Sequence, residues 1–279
     1  MLDLSDRADL RWLSALIRDA QGIESGIDWM LVGALARDIR LNYAHDIQIA
    51  RATMDVDLAI ATDGWEGFKT SWRAMLVDGL FTKVHGMQRV RHASEFMVDL
   101  IPYGGVEGEG GTISWPPHGD VFSRVIGFRE VRAAAEPVRL PDGVEVAVVT
   151  LPGLLVLKLF AFKDRAIQEP RKDAEDIYLV LRSYTDAGNS LRLYAKDADL
   201  LEMDGFDYVH AGARMAGRDV WLLLAQATTG ASLRTQLSAI VDDELDPDGR
   251  LRFLGQVPSG HGERCRQLLI AFRSGLHDG

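Results

Sequence analysis

The stretch RATMDVDLAI, at residues 51–60, constrains the fold of this 279-residue chain more than any other segment. Apolar residues alternate along it, which is the pattern of a β-strand with one side against a core. The apolar side carries Met54, Val56, Leu58 and Ile60. Asp55 and Asp57 share the opposite side, so two carboxylates stand next to each other on a strand that enters a core. Such a pair is tolerated where a cation or another partner neutralises it.

A third acid, Asp99, lies in the apolar segment FMVDLIP at residues 96–102. If the strands at 54–61 and 96–102 are neighbours, Asp99 converges on the side that carries the D-x-D pair. Three converging acids form a cradle for two Mg²⁺ ions, with Mn²⁺ as a second choice, and suit attack at a phosphorus centre. The alternative is that a backbone N–H, or an arginine such as Arg89 or Arg91, satisfies the Asp99 carboxylate.

The segment LVGALARDI predicts a strand that ends at Gly33 and a helix that begins there. The free N–H groups and the positive dipole end of such a helix suit a triphosphate, to which Arg37 adds a guanidinium group. The alternative is that Gly33 serves a tight turn for steric reasons alone. The chain lacks G-K-[ST], so this turn is not a P-loop.

A second group of charged residues lies further along the chain. Lys158 is the one cation in the apolar helix LLVLKLFAF, where it either reaches the surface or points into a cleft at an anion. The next predicted helix carries Lys172, Asp173 and Asp176, for which surface ion pairing is the alternative to a functional role.

The periodicities predict an α/β fold in which a small mixed sheet is flanked by helices. The predicted order is helix, strand, helix, strand, helix, strand, strand, with the last two strands near 81–92 and at 96–102. The pattern is mostly helical after residue 150. We therefore predict an α/β domain at 1–150 and a helical C-terminal domain at 151–279.

Composition excludes several classes of function. A formal charge of −10 and a pI of 5.2 argue against broad nucleic-acid binding, although a local basic patch could still hold RNA. Eight acids interleave with the patch candidates, which are Arg37, Arg40, Arg51, Lys69, Arg73, Lys83, Arg89 and Arg91. The single cysteine, the lack of a signal segment and the shortness of the apolar runs predict a cytoplasmic protein without a membrane span. No zinc-protease or serine-hydrolase motif occurs.

Three segments together, VGALARDI, RATMDVDLAI and MVDLIPYGG, resemble the nucleotidyltransferase fold of the DNA polymerase β-like superfamily. The subgroup that they resemble most is the AbiEii/AbiGii toxin-like nucleotidyltransferases. LKLFAFKDR and RKDAEDIYLVL look like the late motifs of that subgroup. The similarity covers roughly residues 28–184.

By position, the resemblance implies metal-ligand roles for Asp55 and Asp57. It implies that Asp99 is the third acid, which ligates metal and accepts the proton of the attacking hydroxyl. Gly33 and Ala34 would form the phosphate turn; many superfamily members have Gly-Ser or Gly-Gly there, and the missing hydroxyl removes one phosphate hydrogen bond. The nucleotide-binding residues implied at the late motifs are Lys158, Lys172, Asp173 and Asp176.

We therefore expect a metal-dependent nucleotidyltransferase that moves an NMP from an NTP to an acceptor hydroxyl and releases pyrophosphate. The acceptor is an RNA or tRNA end or a protein, with a small molecule such as an antibiotic as a variant. The toxin resemblance adds an antitoxin as a partner. The alternative is a non-catalytic member of the fold that binds a nucleotide or a protein and transfers nothing.

Overall fold

A computed structural model of the protein describes residues 1–23, 26–49, 53, 55–116, 119, 122–249 and 251–278. The core position expected for Met54 lies outside these residues. In this described part of the chain, no helix is both long and apolar enough to cross a lipid bilayer.

The chain forms two compact units. Unit 1 comprises Met1–Ile39 and Ile49–Thr150, and unit 2 comprises Arg40–Gln48 and Leu151–Gly279. These units differ from the domains predicted at 1–150 and 151–279 by one segment, Arg40–Gln48, which groups with unit 2. The π-helical stretch that begins this segment continues the helix that starts at Gly33, so the chain leaves unit 1 within a helix.

Unit 1 contains all the strands of the described residues. In chain order these strands are β1 (Leu2–Asp3), β2 (Trp29–Val32), β3 (Asp55–Thr62), β4 (Phe81–His85), β5 (Arg89–His92), β6 (Met97–Gly104), β7 (Thr112–Ser114), β8 (Phe122–Arg124), β9 (Glu136–Arg139) and β10 (Glu145–Val148). Eight of them form one mixed sheet in the order β1-β9-β10-β2-β3-β6-β5-β4, and β7 pairs with β8. The mixed sheet that the sequence predicts is thus confirmed, although it is larger than expected.

Four helices accompany the sheet in the described part of unit 1. They are α1 (Arg11–Ile23), α2 (Gly33–Asp38), α3 (Trp65–Met75) and α4 (Phe128–Ala133). Helix α1 buries Leu13, Leu16 and Ile17, which are spaced along one stripe of the helix.

At the centre of the sheet, the alternation of residues along β3 places its apolar side chains in the core. Strand β3 pairs with β2 in antiparallel and with β6 in parallel orientation. Val56 and Leu58 on β3 and Val98 on β6 are fully buried. Burial of each such side chain stabilises the fold by about 1.5–3 kcal/mol, which anchors the side of β3 opposite to the aspartates.

The segment near 81–92 differs from its prediction as one strand. It forms the hairpin of β4 and β5, and Gly86 in the connecting turn has a φ of +53°. A glycine adopts this left-handed conformation without steric cost, so the turn divides the segment into two strands. Strand β5 is therefore able to lie beside β6, with which it pairs in antiparallel orientation.

Unit 2 is helical in its described residues, as predicted for the C-terminal region. Its helices are α5 (Leu151–Arg165), α6 (Lys172–Ser183), α7 (Tyr208–Ala225), α8 (Gly230–Leu245), α9 (Arg252–Gln256) and α10 (Gly262–Gly275). Helix α7 packs against α5, α6 and α10. The contact with α10 is close, because a Cβ atom at Gly217 would lie 2.2 Å from the Phe272 carbonyl oxygen.

Candidate active site

Unit 1 brings together the three acids that the sequence singles out. Strands β3 and β6 are parallel neighbours, and Asp57 lies directly opposite Asp99 in their register. Asp55 is two residues before Asp57 on β3, so it points to the same side of the sheet. We call Asp55, Asp57 and Asp99 the aspartate cluster. The convergence predicted from the two strand patterns is present in the structure.

The aspartate cluster lies at a half-buried surface. The Asp55 side chain is 46% exposed and the Asp99 side chain is 26% exposed. The apolar neighbours of Asp99 along β6 are typical of an interior strand, yet its carboxylate is only partly buried. Its neighbours Val98 and Leu100 point to the other side of the strand, where they are buried, so Asp99 keeps contact with solvent.

Arg89 is the cation that faces the aspartate cluster. It lies on β5 directly opposite Asp99. Its Nε donates to Asp99 Oδ1 at 2.5 Å and its Nη2 donates to Asp99 Oδ2 at 2.6 Å. The same Nη2 is 4.0 Å from Asp55 Oδ2. The structure thus realises the alternative in which an arginine satisfies Asp99, through a two-pronged guanidinium–carboxylate pair.

The electrostatic effect of this pair is visible in the pKa of Arg89, which is raised well above its ordinary value. The hydrogen bonds to Asp99 are the largest cause; partial burial opposes them, and the charges of Asp99, Asp55 and Asp57 add to the rise. All three acids of the aspartate cluster therefore act on this one guanidinium group.

Gly33 directly follows β2 and lies next to the aspartate cluster. Val32, the last residue of β2, lies opposite Asp57 in the register with β3. Gly33 has a φ of +70°, and a Cβ atom there would lie 1.9 Å from Asp57 Oδ2. The glycine is therefore required both by its own backbone and by the neighbouring carboxylate.

The other residues predicted at this turn are buried. Ala34 and Arg37 are both largely shielded from solvent in α2. The Arg37 guanidinium donates to Asp38 Oδ1 from Nε at 2.8 Å and from Nη2 at 2.5 Å. A contact of Arg37 with a phosphate group stays a prediction.

The late motif lies in unit 2 and is built around a buried ammonium group. Lys158 on α5 is 5% exposed, and its Nζ is 3.0 Å from Asp173 Oδ1 and 2.6 Å from Asp176 Oδ2. Arg165 adds two hydrogen bonds to Asp173, at 2.8 and 2.9 Å. Surface ion pairing applies to Lys172, which lies 3.3 Å from Glu169, but not to the two buried aspartates.

The charges of this buried cluster reinforce one another. Burial by itself lowers the pKa of Lys158, but the charges of Asp176 and Asp173 outweigh it, so the pKa lies above its ordinary value. Burial by itself raises the pKa of Asp173, but hydrogen bonds from Arg165 and the charge of Lys158 outweigh it and lower that pKa. Lys158 and Asp173 are therefore both charged near neutral pH.

The aspartate cluster suits a divalent cation by its chemistry, because hard cations such as Mg²⁺ prefer carboxylate oxygens. As the described side chains stand, however, no group of three or more His, Cys, Asp or Glu is gathered closely enough to hold a metal ion. The positive charge at the cluster is the guanidinium group of Arg89. The donor set therefore fits a metal, while both oxygens of Asp99 are engaged by an arginine.

The sequence offers Arg89 as a partner for Asp99, with Arg91 and a backbone N–H as alternatives, and as one candidate of the basic patch. The signal for it is the alternation in RVRH, which places Arg89 and Arg91 on the same side of β5. In the same way, Arg165 follows Lys158 by seven residues on α5 and shares its helix face, where it joins the buried cluster.

Comparison with known proteins identifies a family that matches most of the chain. A family described as "Nucleotidyl transferase AbiEii toxin, Type IV TA system" matches residues 16–257. The solution structure of the antibiotic-resistance factor ANT(2'')-Ia is similar with 13% sequence identity and a TM-score of 0.39, over 69% of this chain and 96% of that one. No curated protein sequence is significantly similar to the chain. Since the family match covers most of its length, the chain belongs to the AbiEii family of nucleotidyltransferase toxins.

Proposed function

We propose that this chain transfers a nucleoside monophosphate from an NTP to an acceptor hydroxyl and releases pyrophosphate, in a reaction that depends on a divalent cation. One observation carries the proposal: Asp57 and Asp99 are opposite each other on parallel strands, with Asp55 beside them and Gly33 against Asp57. Membership of the AbiEii family supports the reaction class.

In this reaction the acceptor oxygen forms a bond to the α-phosphorus of the NTP, and the bond from that phosphorus to the bridging oxygen of the β-phosphate breaks. The hydroxyl proton moves to a base, for which we propose the Asp99 carboxylate. When bound, Mg²⁺ or Mn²⁺ supplies positive charge to the attacking and leaving oxygens. The aspartate cluster would hold that ion, and the backbone N–H groups of Gly33 and Ala34 would bind phosphate oxygens.

The nucleotide-binding role of the late-motif residues Lys158, Lys172, Asp173 and Asp176 stays a prediction. The contacts of Lys158 support a second role, because its ammonium group is held between two carboxylates of the neighbouring helix. We propose that this buried cluster joins α5 to α6 and so preserves the fold of unit 2.

The acceptor is an RNA or tRNA end, a protein hydroxyl or a small molecule, and a labelling experiment separates these. The full-length protein is incubated with each of the four α-labelled NTPs, MgCl₂ or MnCl₂, and either total RNA or cell lysate. We expect label in a product that is sensitive to ribonuclease or to protease, together with release of pyrophosphate. Label in neither, with release of pyrophosphate, indicates a small acceptor.

Two matched variants decide whether the aspartate cluster is responsible. Asp57→Asn removes one charge of the cluster, whereas Asp63→Asn makes the same change at an exposed position just after β3. We expect transfer to be lost in the first and kept in the second. Equal transfer by wild type and Asp57→Asn would refute the role of the aspartate cluster, whereas no transfer by the wild type would favour a non-catalytic protein that binds a nucleotide or a partner.

The family also suggests a toxin whose partner is an antitoxin. Expression of the wild-type chain in a bacterial host should then arrest growth, and expression of Asp55→Ala to the same level should not. Growth arrest by both proteins would mean that toxicity does not depend on the aspartate cluster.

A further inference from the structure

The guanidinium group of Arg89 occupies the place where a cation would neutralise the aspartate cluster. It contacts both oxygens of Asp99 at 2.5 and 2.6 Å and lies 4.0 Å from Asp55. The charge of Asp57 acts on it as well. Three carboxylates on one side of a sheet repel one another, and Arg89 offsets that repulsion.

A metal ion and this guanidinium group need the same oxygen atoms. A bound Mg²⁺ ion takes carboxylate oxygens at about 2.0–2.1 Å, along the lone-pair directions that hydrogen bonds also use. Both oxygens of Asp99 already accept from Arg89. Each oxygen keeps a second lone pair, but the guanidinium charge beside it repels a cation, so Asp99 ligates a metal more strongly once a hydrogen bond to Arg89 is broken.

The surroundings of Arg89 allow it to move. Its side chain is 38% exposed, and β5 lies one strand from the edge of the sheet. Release into solvent restores the hydration of the guanidinium group, which offsets part of the cost of the lost hydrogen bonds. Arg91 is a second arginine on the same side of β5. It lies opposite Met97 and pairs with Glu95. It is a natural control, because its charge is neutralised outside the cluster.

We propose that Arg89 is the resident counter-cation of the aspartate cluster and that it leaves Asp99 when a divalent cation binds. The exchange makes Arg89 a positioning residue, which acts through Asp99 and sets the metal affinity of the site. In the metal-free protein it keeps the three acids together, and it lowers the apparent affinity for metal because its positive charge repels the ion and its pairing with Asp99 competes with metal binding. This inference rests on the proposed function.

The test measures Mn²⁺ binding to the full-length protein without nucleotide, by electron paramagnetic resonance and by titration calorimetry. Arg89→Gln should bind Mn²⁺ about tenfold more tightly than wild type, since one charge-assisted hydrogen-bonded pair no longer competes. Arg91→Gln should bind as wild type does. Arg89→Lys keeps the charge but loses the two-pronged contact, and its affinity should lie between those of wild type and Arg89→Gln.

A second readout is the thermal midpoint with and without Mn²⁺. Arg89→Gln should melt below wild type without metal and gain more from added Mn²⁺; if that variant does not fold, Arg89→Lys carries the test. Equal or weaker Mn²⁺ binding by the folded Arg89 variants overturns the exchange while leaving the proposed function in place. If neither wild type nor any variant binds Mn²⁺, the metal site itself is refuted, and this proposal with it.

Discussion

At the scale of single residues, Gly33 couples the backbone turn after β2 to the aspartate cluster. Its left-handed φ excludes most side chains, and its missing Cβ leaves the room that Asp57 Oδ2 occupies. The two requirements have different consequences. Strain in the backbone reduces stability alone, whereas displacement of Asp57 also disturbs the side of the sheet that we assign to catalysis.

Gly79 allows these two requirements to be separated. It has a φ of +72°, close to that of Gly33, but a Cβ atom there would contact nothing within 4 Å. Gly79→Ala should reduce the free energy of unfolding by about 1–2 kcal/mol, the cost of the left-handed conformation. Gly33→Ala should lose about 1–3 kcal/mol more, because the new methyl group collides with Asp57, and should abolish nucleotide transfer. Urea unfolding and the labelling assay measure both effects.

Equal losses of stability in the two alanine variants, with transfer intact in both, would mean that position 33 tolerates a side chain. The close approach to Asp57 would then have no part in the function of the site.

At the scale of secondary-structure elements, the strand patterns predict the aspartate cluster but not its counter-ion. The alternation on β3 and β6 predicts which residues share a side, because that property is local. The choice between Arg89 and Arg91 depends on the register of β5 with β6, which places Arg89 opposite Asp99 and Arg91 opposite Met97. A register of this kind follows from the turn between two strands, and the residues of those strands leave it undetermined.

The same limit applies to the helices of unit 2. The apolar pattern predicts α5 and its one lysine, yet the partners of Lys158 come from α6 and are set by packing between the two helices. Sequence distance predicts contacts within a helix, such as the one between Glu66 and Lys69 in α3, far better than contacts between helices.

The buried ion pair between Lys158 on α5 and Asp173 on α6 makes the stability of unit 2 sensitive to acid pH. The pKa of Asp173 lies below 3.8 in the folded protein, so the folded state binds fewer protons than the unfolded state near that pH. Its stabilising contribution is complete above the unfolded value and is lost as the pH falls through the folded value. Asp173→Asn should therefore cost about 3 kcal/mol at pH 7, and this cost should shrink below pH 4.

Urea unfolding at pH 7, 5, 4 and 3 measures this effect. Glu175→Gln in the same helix is the control, since Glu175 pairs with Arg171 at 3.7 Å near the surface and should cost less than about 1 kcal/mol. A cost of Asp173→Asn that does not change with pH would mean that its carboxylate is not held in the charged form by Lys158 and Arg165.

At the scale of the whole molecule, acid partners neutralise half of the candidates for the basic patch that an RNA acceptor would need. Of the candidates, Arg51 lies outside the described residues. Four others pair with acids in the structure, namely Arg37 with Asp38, Lys69 with Glu66, Arg89 with Asp99 and Arg91 with Glu95. Combined with a net charge of −10, this pairing leaves little surface that attracts phosphates over a distance.

Binding of RNA should accordingly depend only weakly on salt. For single-stranded RNA, each neutralised phosphate contributes about −0.7 to the slope of log affinity against log salt concentration, and we expect a slope shallower than about −2. Fluorescence anisotropy with a labelled oligonucleotide, from low to physiological salt, measures that slope. Glu95→Gln removes the acid partner of Arg91. It should therefore make the salt slope steeper by no more than the contribution of one phosphate, about −0.7. A much steeper slope in the wild type would reveal a basic surface and favour an RNA acceptor, whereas a shallow slope favours recognition through a few specific contacts.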